Sequence, residues 1–100
     1  MHGHLLYSAA KAGLVALTKA LAQEMAPQVR VNAISPGVII WPEDGAWMND
    51  EQRRKIVAHT LLKREGEPDD IARTVQFLIS EAPYITGQII AVDGGRSVNL

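Results

Sequence analysis

The chain has 100 residues, of which 47% are hydrophobic and 21% charged; that suits one small globular domain and excludes a disordered or collagen-like chain. The formal charge is -1, from 10 Lys and Arg against 11 Asp and Glu, so no basic surplus draws in nucleic acid. Cysteine is absent, which removes disulfides and thiolate metal sites, and no apolar run approaches the roughly 20 residues of a membrane span.

Met1-His2-Gly3-His4 lacks the charged start and cleavage site of a secretory signal, so the expected compartment is the cytoplasm. From Ser8 to Ala26 strong helix formers follow one another, and Pro27 stops the run. Leu14, Leu17, Leu21 and Met25 recur at helical spacing and predict a large-residue stripe. Ala9, Ala10, Ala12, Gly13, Ala16, Ala20 and Ala22 surround it. Gly13 costs about 1 kcal/mol relative to Ala inside a helix, so its presence predicts a close-packed neighbour.

Val29 to Ile34 alternates as a short strand, and Ser35-Pro36-Gly37 ends it. Val38 to Trp41 follows, then the turn residues Pro42-Glu43-Asp44-Gly45. Asn49 is an N-cap with Gln52 reaching back, which opens a helix to about Thr60. A charged connection from Lys63 to Glu67 leads to Pro68 at a first helical position, with Asp69 and Asp70 in the first turn. Ile71, Val75, Leu78 and Ile79 share a face of that helix, which stops before Pro83. Thr86-Gly87 turns into a last strand, Gln88 to Val92, closed by Asp93-Gly94-Gly95.

Thirteen of the 21 charged residues lie between positions 41 and 70, which marks the middle third as solvated and leaves the first helix and both strands for an interior. The order helix, strand, helix, helix, strand predicts an α/β fold with parallel strands and a right-handed crossover. Two short parallel strands do not make a stable sheet, and parallel sheets are normally covered on both faces. The expectation is therefore the C-terminal part of a doubly wound, Rossmann-like sheet. Residues 1–100 would be the second half of a single such domain whose first half is absent.

Tyr7 and Lys11 are one helical turn apart, so both project from one face. An ammonium held about 5 Å from a phenol, at an effective dielectric near 20, favours phenolate by roughly 3 kcal/mol, or about two pKa units. That brings a group that ordinarily titrates near pH ~10 towards useful proton transfer. The same spacing also describes any pair of surface neighbours. His2 and His4 lack a third ligand and read as loop residues; Arg53-Arg54-Lys55 reads as a solvated helix face and His59 as an exposed helix end.

Four segments resemble the short-chain dehydrogenase/reductase family, in its order and across essentially the whole chain. Tyr7-Ser8-Ala9-Ala10-Lys11-Ala12-Gly13-Leu14 is similar to its active-site helix, and Val29-Arg30-Val31-Asn32-Ala33-Ile34-Ser35-Pro36-Gly37 to its sixth strand and Pro-Gly turn. Gly66-Glu67-Pro68-Asp69-Asp70-Ile71-Ala72 resembles its late helix start, and Ile85-Thr86-Gly87-Gln88 through Val92-Asp93-Gly94-Gly95 its last strand. Within the family, Pro36 to Glu43 and Ser80 to Gly87 look like bacterial pteridine reductases. Most members carry Thr at the place of Trp41, where it touches the cofactor. Trp41 is either a wall of the substrate pocket or a residue packed under its loop.

The resemblance implies an oxidoreductase that moves hydride from NADP(H), with NAD(H) not excluded, to a pterin-like substrate. Tyr7 would donate the proton, and Lys11 would lower its pKa and hydrogen-bond the nicotinamide ribose. Pro36 and Gly37, with the backbone of Val38 and Ile39, would hold the carboxamide, and Trp41 would line the substrate. Asn32 and Asp93 would fix the strand ends. The Gly-rich phosphate turn, the second-shell asparagine and the catalytic serine (aspartate in some pteridine reductases) would all lie upstream of residue 1. The resemblance further implies a homo-oligomer through the first helix and last strand, and no nucleic-acid, membrane or metal partner. Two alternatives stand beside it: a non-catalytic truncated product or oligomerisation remnant, and a short-chain reductase for another carbonyl substrate.

Overall fold

The computed structural model describes the backbone of residues 2–37 and 49–98; side chains of the first turn and of Tyr7 are outside that description, as are Val38, Ile39 and Trp41. Five elements follow in the expected order: α1 (His2–Met25), β1 (Ala33–Pro36), α2 (Asp50–Ala58), α3 (Pro68–Ser80) and β2 (Ile89–Val92), then a 3-10 turn at Arg96–Val98. β1 and β2 form a two-stranded sheet. Its bonds advance together along both strands, from Ala33 N–H to the Gln88 carbonyl (2.9 Å) to Gly37 N–H to the Val92 carbonyl (2.9 Å), so the pair is parallel. The α/β expectation holds.

The chain divides into two compact units. In the first, Met1–Ala33 with Ala82–Ile90, the buried residues are Thr18, Ala22 and Ala82. Thr18 tolerates burial because its hydroxyl donates to the Leu14 carbonyl at 2.7 Å. The predicted stripe is therefore not what this unit buries. Leu17 is 57% exposed, and Leu14 and Met25 are exposed too; only Leu21 is half-buried. Of the small residues around the stripe only Ala22 is buried; Ala9, Ala10, Ala12, Gly13, Ala16 and Ala20 are exposed. Gly13 has no neighbour within 4 Å of where a Cβ would stand, so the close approach it predicted is not supplied by the described residues.

The strand expected over Val29–Ile34 begins only at Ala33. The residues before it bond to a loop instead of a ladder. Val31 N–H donates to the Thr86 hydroxyl (3.0 Å), and Asn32 bonds the loop through both side-chain atoms: Nδ2 donates to the Ile85 carbonyl at 2.9 Å, and Oδ1 accepts from Gln88 N–H at 3.0 Å. The Arg30 guanidinium donates to the carbonyls of Ala82 (3.0 Å) and Ile85 (3.3 Å). Asn32 thus does fix the strand entrance. β2 likewise starts one residue later than expected, at Ile89.

In the second unit, Ile34–Glu81 with Ala91–Leu100, local chemistry sets the helix starts. Asn49 and Gln52 form the expected capping box: Gln52 N–H donates to Asn49 Oδ1 at 2.8 Å, and Asn49 N–H to Gln52 Oε1 at 3.0 Å. α3 opens at Pro68, whose missing N–H is no loss in a first turn, and the Asp70 carboxylate accepts from Glu67 N–H at 2.8 Å. Of the four residues on the apolar face of α3, Leu78 is buried and Ile71 half-buried, while Val75 and Ile79 are exposed, Ile79 by 70%. No large side chain among the described residues is fully buried.

Candidate functional site

α1 runs without interruption past Tyr7 and Lys11, so the backbone places both on one helix, a single turn apart. Lys11 is half-buried. The backbone therefore sets the two expected site residues one turn apart.

The second cluster of expected site residues stands at the end of β1. Pro36 is its last residue and is exposed, and Gly37 follows, half-buried. The N–H of Gly37 is committed to the Val92 carbonyl, so any backbone donor offered to a ligand from this turn comes from beyond Gly37. A Cβ on Gly37 would lie 2.6 Å from the Asp93 Cα, closer than side chains approach backbone, so only glycine fits. Asp93 in turn accepts from Gly95 N–H (2.9 Å) through Oδ1 and from Ser97 N–H (3.1 Å) through Oδ2. The expectation that Asp93 fixes a strand end is met.

Sequence reasoning missed a cleft of about 480 Å³ in the second unit, lined in part by Thr60, Leu62, Arg64, Asp70, Gly94 and Gly95. Thr60 is buried there, its hydroxyl donating to the Val57 carbonyl at 2.8 Å, and Leu62 N–H donates to the Gly94 carbonyl at 3.0 Å. Gly95 sits at φ 87°, with the Leu61 side chain 2.8 Å from where a Cβ would be. Arg64 donates to both oxygens of Asp70, at 3.1 and 3.4 Å. This guanidinium, and then the Glu67 N–H, hold the Asp70 carboxyl below the usual carboxylate range. Asp69 and Asp70 signalled a helix start in the sequence, but nothing in their spacing named Arg64 as a partner.

A family model described as enoyl-(acyl carrier protein) reductase matches residues 1–97. A crystal structure of a short-chain dehydrogenase/reductase from Brucella melitensis superposes with a TM-score of 0.79 at 40% identity, covering 90% of this chain and 37% of that one. The chain belongs to the short-chain dehydrogenase/reductase family. Among family members, 3-oxoacyl-[acyl-carrier-protein] reductase FabG of Aquifex aeolicus is 45% identical over 95 residues, 93% of this chain and 38% of the relative. A small-chain dehydrogenase crystallised in complex with NADPH gives a TM-score of 0.75 at 41% identity, over 87% of this chain and 40% of that one. The chain thus spans well under half the length of these short-chain dehydrogenases/reductases. No helix among its described residues is long and apolar enough to cross a membrane.

Proposed function

We propose that this chain is the C-terminal part of a single-domain, cytoplasmic short-chain reductase, and that it carries the proton-donating half of the active site. The observation that carries the reading is α1: one unbroken helix that sets Tyr7 a turn before Lys11 in a family member. Tyr7 protonates the reduced substrate. Lys11 lowers the phenol's pKa through its positive charge, and its three N–H donors suit the hydroxyls of a ribose.

The cofactor is NADP(H), or NAD(H), by likeness to the NADPH-bound neighbour. When bound, it supplies the hydride. The Lys11 ammonium and the Pro36–Gly37 turn suit its nicotinamide end; Val38 and Ile39, which the resemblance adds to that set, lie outside the described residues. The set does not fit the pyrophosphate, because no helix among the described residues opens on a Gly-rich turn. The 100 residues alone are accordingly inactive, and the exposed apolar residues of α1, with the last strand, supply the surfaces for pairing into an oligomer.

Two substrate readings remain. The stretches Pro36 to Glu43 and Ser80 to Gly87 favour a pterin-like C=N bond, with Trp41 along the substrate. The likeness to a 3-oxoacyl-[acyl-carrier-protein] reductase favours a carbonyl carried on a thioester. Steady-state rates of a full-length reductase carrying this segment, measured with dihydropterin and with a 3-oxoacyl thioester, separate them. Trp41→Thr raises KM for pterins if Trp41 lines the substrate, and lowers only thermal stability if it packs under the loop. Turnover of neither substrate class with either nicotinamide cofactor defeats the reductase reading itself.

A further inference from the structure

We infer that Asp93 is a positioning residue for the nicotinamide contact and acts through the backbone of Gly37; this rests on reading the Pro36–Gly37 turn as that contact. The geometry is a clamp made of three segments. Gly37 is held by its N–H on the Val92 carbonyl (2.9 Å), and its open side faces the Asp93 backbone, 2.6 Å from where its own Cβ would be. The wall against Gly37 is therefore main chain, which cannot rotate away as a flexible side chain can. The Asp93 carboxylate orders the turn that continues that wall, each oxygen taking one N–H, Gly95 at 2.9 Å and Ser97 at 3.1 Å, while the Asp93 carbonyl accepts from Arg96 N–H at 3.2 Å. The third segment backs the turn: Leu62 N–H donates to the Gly94 carbonyl at 3.0 Å, and the Leu61 side chain lies against Gly95.

Removing the carboxylate frees two N–H groups and lets the 93–97 turn relax. Gly37 then loses a rigid wall, and the Pro36–Gly37 turn is no longer held at a fixed point. The loss falls on cofactor binding more than on the proton donor, since Tyr7 belongs to α1.

The test uses a full-length reductase carrying this segment, with Asp93→Ala, Asp93→Asn and Gly37→Ala. Asp93→Ala raises the KM for NADPH about fivefold, the size of one net hydrogen bond, with kcat within about twofold. Asp93→Asn keeps one acceptor oxygen and gives a smaller rise, and it serves as the readout should the alanine variant fail to fold. Gly37→Ala raises KM at least as much as Asp93→Ala. Lowered Tm with an unchanged KM in both Asp93 variants overturns the inference and leaves Asp93 merely structural. Hydrogen exchange of the peptide spanning residues 36–39 in the wild type, with and without NADPH, tests the underlying reading separately. Absence of protection there defeats the turn as a cofactor contact. Protection combined with a wild-type KM in the Asp93 variants defeats the Asp93 inference alone.

Discussion

Along α1, Leu5, Leu6, Leu14, Leu17 and Met25 stand exposed, and what the first unit buries of this helix is Thr18 and Ala22. The segments 60–62 and 93–97 are the opposite: short, irregular and held by named bonds, from Leu62 N–H to the Gly94 carbonyl and from the Asp93 carboxylate to two N–H groups. The helix has the periodicity and the propensity, and the turns have the partners. The residues proposed for chemistry therefore sit on the helix whose large apolar side chains are left exposed by the other described residues. The 93–97 turn beside Gly37 is secured by its own hydrogen bonds.

The largest effect expected of a single change falls on the helix. Lys11→Met, in a full-length reductase carrying this segment, lowers kcat/KM more than a hundredfold, because the proposed function gives this one residue both proton transfer and ribose binding. Steady-state kinetics with a parallel NADPH titration checks both halves; a defect confined to KM removes Lys11 from catalysis. Next comes the strand entrance. Asn32→Ala removes bonds to Ile85 and Gln88 and destabilises by about 1–3 kcal/mol in denaturant unfolding, at roughly 1 kcal/mol net for each bond. An effect below ~0.5 kcal/mol would mean that those bonds are replaced by water without penalty.

Smaller effects come from the charged surface. Asp70 has its carboxyl lowered by Arg64, so its contribution to stability is present above the unfolded carboxylate pKa, near pH ~4, and is lost as pH falls through the lower folded value. Asp70→Asn flattens that acid limb in a pH series of unfolding curves and leaves the slope at neutral pH unchanged. Smallest is Arg73→Ala. Its pair with Asp69 (2.6 Å) is a solvent-exposed one-turn contact on α3, worth about 0.3–0.5 kcal/mol, and raised salt erases the difference.

What could be read from the sequence was what is decided within a few residues. Asn49 with Gln52 and Pro68 opening α3 each work through neighbouring backbone groups, and each was found as expected, whereas β1 runs on through Ser35 and Pro36, two residues past its expected end at Ile34. The start of β1 was not legible, because Val31 and Asn32 spend their hydrogen bonds on Ile85, Thr86 and Gln88, more than fifty residues away. Periodicity likewise marked Leu14, Leu17 and Met25 as apolar but could not say what covers them. In the candidate site, the spacing of Tyr7 and Lys11 was visible directly. The closeness of the Asp93 backbone to Gly37, which leaves no room for a Cβ, was not, since it exists only once the two parallel strands pair.

The account turns on Tyr7 as the proton donor, and Tyr7→Phe in a full-length reductase carrying this segment tests it most directly. The phenylalanine keeps the ring and removes only the hydroxyl. The prediction is a kcat lowered at least about a hundredfold, with the Kd for NADPH changed less than about twofold. Turnover close to wild type would contradict it and leave α1 a packing helix.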